Sequence, residues 1–296
     1  MKSKITLFFR EKLNKNQLNN KVIDSYVNVK YHFLIPPFFL LLLCFFYFII
    51  FNNGGNFVDE YVNIQKDLFF YLNNILSKLP SLQFNLTQLG DVLISFPLIT
   101  IFIIYAPKIW EALLTSAIIS LIVSAVLKKI FAVPRPAAML DTDNFVIIGK
   151  TLTGHTSLPS GHSIATFVVI TTLLFAFMPQ KNKHKIIWSF SIITLGLIIA
   201  FSRVGVGAHY PLDVIIGSIL GYIVTIIGIK LNTKINWFCW IKNKKYLPIF
   251  MISLTIWSGL IIQKILKTDL IIFYLSLLSL IVSLYLISKT YVQRKN

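Results

Sequence analysis

Residues 202–230 read SRVGVGAHYPLDVIIGSILGYIVTIIGIK. Arg203, His209 and Asp213 stand together, and an apolar run long enough to span a bilayer as a helix follows them. A hydrocarbon core of ~30 Å is crossed by ~20 helical residues, so the run reads as a transmembrane helix. Charge at the edge of a bilayer is costly unless it pairs or works, which makes the three polar residues functional candidates.

The rest of the chain fits that setting. Of 296 residues, 56% are hydrophobic and the mean hydropathy is +0.74. A soluble protein of this size cannot hide so much apolar surface. Apolar runs recur at about 32–51, 87–106, 110–131, 161–178, 186–203, 209–230, 246–263 and 269–288. They are continuous and do not alternate with polar residues, which excludes barrel strands. The expected fold is all-α, a polytopic membrane helix bundle with about eight transmembrane helices. The stretch before Tyr31 is polar and too long for a signal-peptide n-region, and no small-residue cleavage site follows, so the first run reads as an uncleaved anchor.

Net charge is +17. The basic residues sit in the tails and in alternate loops, a topology signal and not a sign of nucleic-acid binding. The N-terminal tail, Lys181–Lys185, Lys230–Lys245 and the tail from Lys289 are basic, and the turn with Lys108 agrees. Most acids (Asp59, Glu60, Asp67, Asp141, Asp143 and Asp269) fall in the opposite loops. An even number of spans then puts both termini in the cytoplasm, for a multi-pass protein of the inner (cytoplasmic) membrane. Three regions are expected: a basic cytoplasmic tail over 1–31, a membrane core over 32–231, and a region over 232–296 with a basic loop, two further spans and a basic tail.

Within the core, an outer loop over about 52–86 has an amphipathic pattern (Phe57, Tyr61, Ile64, Leu68, Leu72 and Ile75), read as a helix lying on the bilayer, with a substrate lid as the alternative. Tyr31, Trp110, Trp188, Trp237 and Trp240 read as interfacial belt residues. Cys44 and Cys239 fall in the first span and in a basic loop, so neither a disulfide nor cysteine-held metal is expected.

Two further polar clusters join the first, all on the outer side, which is periplasmic or extracellular. Lys128 and Arg135 are two helical turns apart, but Pro134 and Pro136 interrupt the helix and fix the backbone around Arg135. Lys129 reads as a snorkelling neighbour. Pro159-Ser160-Gly161-His162 opens the fourth span: Ser160 suits an N-cap, Gly161 lets the backbone approach a ligand, and free N–H groups there favour an anion. His209 and Asp213 are i and i+4, in reach of a hydrogen bond that exposes the Nε2 lone pair, as a nucleophilic histidine requires. His162, His209 and Asp213 also form a two-histidine–carboxylate set, but three neighbouring cations oppose a divalent ion, and no metal or other cofactor is expected. His155, His32 and His184 stay outside the site.

Taken together, Lys128-x₆-Arg135-Pro136, Pro159-Ser160-Gly161-His162 and Ser202-Arg203-x₅-His209-x₃-Asp213 resemble the three-part signature of the type 2 phosphatidic acid phosphatase superfamily. That family holds membrane lipid phosphate phosphatases, soluble bacterial acid phosphatases and vanadium haloperoxidases. The resemblance covers about residues 87–230 and implies a six-helix phosphatase-type core, to which two C-terminal spans are added. It implies that His209 attacks phosphorus to give a phosphohistidine, oriented by Asp213. His162 protonates the leaving oxygen and then helps activate water. Lys128, Arg135, Arg203, Ser160 and the Gly161 N–H hold the phosphoryl oxygens.

The expectation is a metal-independent enzyme that dephosphorylates a lipid phosphate or pyrophosphate, with the surrounding membrane lipids as neighbours. Undecaprenyl pyrophosphate, phosphatidylglycerol phosphate, phosphatidic acid and lipid A phosphates all fit. The alternatives are a lipid phosphotransferase built on the same phosphohistidine, and a membrane protein that only binds an anion or a lipid.

Overall fold

The computed structural model describes residues 15–51, 54–235 and 237–295. The first 14 residues of the expected basic tail lie outside the described residues. Helices are α1 (Lys15–Val27), α2 (Ile35–Phe51), α3 (Phe57–Leu76), α4 (Pro80–Gln88), α5 (Val92–Ser95), α6 (Phe102–Tyr105) and α7 (Pro107–Phe131). They continue as α8 (Pro136–Met139), α9 (Gly161–Ala176), α10 (Asn182–Gly205), α11 (Pro211–Lys234), α12 (Leu247–Lys267) and α13 (Ile271–Lys295). The fold is all-helical among the described residues, and the protein is a multi-pass membrane protein.

Helices α7, α9, α10 and α11 form the central bundle, with α11 in its middle. Proline supplies the first turn of α7, α8 and α11, where an N–H would have no helical partner. Helix α11 carries Gly217 and Gly221 on the face toward α9. A Cβ there would lie 2.7 Å from the Ser160 carbonyl oxygen and 2.6 Å from that of Ile164. Where lipid offers no hydrophobic drive between helices, such close backbone approach is what binds them. It also fixes the start of α9 against the start of α11: Ser160 N–H donates to the Asp213 carbonyl at 3.1 Å.

Among the described residues six helices are long and apolar enough to cross a bilayer, so the expected count of about eight is not reached by length and composition. The expected fourth span is α9, an apolar helix of 16 residues. The expected second span, 87–106, is no single helix. It breaks at Gly90-Asp91 and Pro97 into α5, a 3-10 turn over Pro97–Ile99, and α6. The broken run still passes from one end of the bundle to the other. Gly90 packs on His162, while Ala106 packs beside Val22 and Tyr26 of α1.

The hairpin of α12 and α13 satisfies the carbonyls that the breaks leave open. Trp257 Nε1 donates to Leu93 O (2.9 Å) and Ser276 Oγ to Ile94 O (2.9 Å), while Ser279 Oγ adds a bond (2.8 Å) to Pro97 O, which also accepts from Thr100. Irregular backbone at membrane depth is tolerable only when protein covers it this way.

Other expectations change in detail. Helix α3 does not lie free on a bilayer surface. Tyr61, Gln65, Phe69 and Asn73 form its buried stripe against the core, and Leu68 and Ile75 are exposed. Lys108 is no exposed topology marker, because it is buried and donates to Glu111 Oε2 at 2.9 Å. Trp110 is a core residue whose Nε1 donates to Ile99 O. Residues 182–185 are the first turn of α10, not a loop, and α11 continues to Lys234. Cys44 and Cys239 are both free.

Gly221→Leu is expected to cost about 1–3 kcal/mol by overpacking the α9–α11 contact. The measurement is thermal unfolding of the purified variant in detergent, where an unchanged midpoint would contradict this packing.

Candidate active site

The three sequence clusters meet at one end of the bundle because each lies at a helix end. Helix α7 stops at Phe131, where Ala132 takes a left-handed conformation (φ 46°), before the prolines. Arg135 N–H then donates to Gly154 O and Ser157 N–H to Val133 O, which folds the 140–159 loop back over the site. Ser160 caps α9, its Oγ accepting from Ser163 N–H at 3.3 Å. The same Oγ accepts from the Ser163 hydroxyl at 2.9 Å, and Ser160 is fully buried. Lys128 Nζ sits over the first turn of α9, 3.2 Å from where a Gly161 Cβ would stand, so a side chain there would push the lysine head aside.

His209 precedes α11 and does not sit on its first turn, and Asp213 reaches back to it. His209 Nδ1 and Asp213 Oδ2 are 3.3 Å apart. The same Oδ2 accepts from Tyr210 N–H (3.0 Å) and from the Ser157 hydroxyl, and Oδ1 accepts from the Tyr61 hydroxyl at 2.8 Å. On the other ring nitrogen, Arg135 Nη1 lies 3.1 Å from His209 Nε2 and also donates to Ala208 O at 3.2 Å. A guanidinium only donates, so Nε2 is the acceptor and the ring proton is on Nδ1. Both sides of the imidazole therefore fix one tautomer.

Burial first, then the Arg135, Arg203 and Lys128 cations, holds His209 well below the ordinary histidine value; only the Ser157 backbone opposes this. The imidazole is neutral at neutral pH and has its lone pair on Nε2. Tyr61 is pushed the other way, by burial and then by the Asp213 charge, so its phenol stays protonated and donating.

Arg203 is almost wholly buried. Its Nη1 donates to Thr87 Oγ1 at 2.7 Å, while its Nε has no hydrogen-bond partner. Buried donors left without partners are rare, and one beside two more cations marks a place for an anion. Arg203, Arg135 and Lys128 all lie within electrostatic reach of His162. Gly90 packs on that histidine, since a Cβ there would fall 2.8 Å from His162 Cβ.

Every residue expected from the sequence is thus at this end, Lys129 is exposed, and so are His155, His32 and His184. Sequence reasoning missed Tyr61, Ser157 and Thr87. Only Tyr61 left a trace: Tyr61, Gln65, Phe69 and Asn73 recur every fourth residue, as a buried helical stripe does.

Residues 110–237 match the family model of the PAP2 superfamily, and all the expected site residues fall inside that match. That is the family which the three motifs of this multi-pass membrane protein resemble, and the matched segment contains all three. An undecaprenyl-diphosphatase of Sulfolobus acidocaldarius is 27% identical over 178 residues, which cover 59% of this chain and 82% of that protein. The crystal structure of Aquifex aeolicus LpxE is similar at 26% identity with a TM-score of 0.47, covering 56% of this chain and 95% of that one.

The His209 tautomer and its depressed basicity are open to nitrogen NMR on labelled protein. Nδ1 should stay protonated and Nε2 bare from neutral pH down past the ordinary histidine midpoint. Arg135→Gln removes the largest opposing charge and should raise that midpoint toward 6.5. A ring that is already cationic at neutral pH would contradict the geometry.

Proposed function

We propose that this protein is a membrane lipid phosphatase that hydrolyses a lipid phosphate or pyrophosphate through a phosphohistidine on His209. The observation that carries the reading is the neutral imidazole, its Nε2 lone pair facing three cations. Nε2 attacks phosphorus in line, the bond to the lipid oxygen breaks, and His162 gives that oxygen a proton. His162 then takes a proton from water as the water attacks the phosphohistidine, and inorganic phosphate leaves. Lys128, Arg135, Arg203, Ser160 and the Gly161 N–H hold the phosphoryl oxygens as charge spreads over them. The unpartnered Arg203 Nε supports that role. Asp213 holds the tautomer and steadies the imidazolium that forms.

Chemistry without a metal agrees with the donor set. Both Asp213 oxygens already accept hydrogen bonds, and the nearby cations would repel a divalent ion. The similarity to an undecaprenyl-diphosphatase favours a polyprenyl pyrophosphate within the substrate class. The catalytic core is taken as residues 32–231, with the N-terminal tail and the region from 232 onward as additions to it. The basic residues of the end opposite His209 support cytoplasmic termini in the inner membrane and a site at its outer, periplasmic face.

The test is phosphate release in EDTA from undecaprenyl pyrophosphate, phosphatidylglycerol phosphate, phosphatidic acid and lipid A phosphate. The wild type should release phosphate from at least one lipid, and His209→Ala should lower release at least a thousandfold, as loss of a nucleophile does. Activity that EDTA abolishes, or that survives His209→Ala, would overturn the reading. Transfer to an added lipid alcohol in preference to water would make the enzyme a phosphotransferase.

Tyr61→Phe removes a hydrogen bond to a buried carboxylate, worth ~1.5–3 kcal/mol, so kcat should fall about tenfold or more. Because Tyr61 acts through Asp213 and touches no substrate, KM should hold. A rise in KM at constant kcat would contradict this assignment.

A further inference from the structure

Two cavities adjoin: one opens at the end of the bundle opposite His209, and the other runs from it along the helices as far as Phe167 and Ile215. One, of about 510 Å³, is of mixed character and opens between the α1–α2 connection and the α9–α10 turn; Asn28, Lys30, His32, Gln180 and Lys185 give it its polar groups. The other, of about 520 Å³, is apolar and lies among α2, α9, α10 and α11, lined by residues such as Leu40, Leu43, Leu174, Ile193 and Tyr222. Phe33, Phe175, Met178 and Ser189 line both, so the polar mouth stands directly over the apolar chamber.

The mouth is cationic and its charge is unspent. Neither Lys30 nor Lys185 forms an ion pair among the described residues. Asp24 is the single acid between Lys15 and Phe51, and the segment 177–190 has none. Lys181, Lys183 and Lys230 add positive charge around the rim, with Lys230 Nζ 5.5 Å from the centre of the Tyr31 ring.

Helix α2 leaves the chamber open, because Pro37 is its only buried residue. Lys230 lies nineteen residues along α11 from Pro211, which at 1.5 Å per residue puts this mouth roughly 30 Å from His209. It is a separate place from the candidate active site.

We propose that the paired cavities bind an anionic phospholipid, with its phosphate among Lys30, His32 and Lys185 and an acyl chain in the chamber. A free anion would leave the chamber empty, and a neutral lipid would leave the cations unmatched. Basic pockets between transmembrane helices recognise anionic headgroups by this combination of charge and apolar depth. The lipid fills the gap between α2 and the bundle and so ties the first span to the core, whatever reaction the other end performs.

The experiment is native mass spectrometry of the delipidated full-length protein in a neutral detergent. It is titrated with dioleoylphosphatidylglycerol, with dioleoylphosphatidylcholine and with inorganic phosphate. Phosphatidylglycerol should bind at least tenfold more tightly than phosphatidylcholine. Each cation near an anionic headgroup is worth about fivefold, so Lys30→Gln with Lys185→Gln should weaken binding about twenty-fivefold.

Ser189→Trp plugs the junction of the two cavities and should also abolish lipid binding, with thermal unfolding confirming that the variant is folded. Equal binding of phosphatidylcholine would overturn the proposal. So would phosphate that competes as well as the lipid does. Binding that Arg135→Gln abolishes, while the Lys30/Lys185 variant keeps it, would place the lipid at the other site and overturn the proposal as well.

Discussion

Asp213 has no exposed surface, yet it sits at the first turn of an apolar helix in a membrane protein. A carboxylate there is tolerable only if donors surround it, and much of the upper half of the fold is arranged to supply them. Tyr61 comes from α3, Ser157 from the returning loop, Tyr210 N–H from the helix start, and His209 from the preceding turn. Removing one donor strands part of a buried charge, so the four supports are interdependent. That dependence explains why α3 is docked on the core: Gln65 accepts from Leu212 N–H, and Asn73 bridges Val146 and Val204. The charge in turn orders His209, the proposed nucleophile, so one constraint links tertiary packing to the proposed chemistry.

Hydropathy found every apolar stretch because burial in lipid depends on composition. It could not tell a continuous helix from a broken one. The run 87–106 is as apolar as its neighbours, but Gly90-Asp91 and Pro97 break it, and its open carbonyls find donors more than 150 residues away, in α12 and α13. No local pattern reports that. The face of α3 was misassigned for a related reason. Gln65 and Asn73 look like solvent residues, and they are buried because backbone groups of other segments complete their hydrogen bonds.

The site was far more legible than the frame around it. Lys128, Arg135, His162, Arg203 and His209 are expensive residues in an apolar sequence, and each lies at or beside a helix end, on the same side of the bundle. Ser157 and Thr87 are cheap residues in irregular segments, and nothing in their spacing sets them apart. The PAP2 match ends at residue 237, yet Asp91, held by Lys264 of α12 at 2.7 Å, belongs to the segment carrying Thr87 and Gly90. Support for Arg203 and His162 therefore extends outside the matched segment.

The bond from Arg135 to His209 Nε2 has a chemical consequence. The Arg135 guanidinium donates to the lone pair that the proposed attack must use. An incoming group with anionic oxygens offers that guanidinium a stronger acceptor and frees the imidazole by binding. An uncharged ester has nothing to exchange for the arginine, so it meets a nucleophile that is already engaged. Under the proposed mechanism, selectivity for phosphoryl groups over other electrophiles begins before any bond to phosphorus forms, in a competition for one cation.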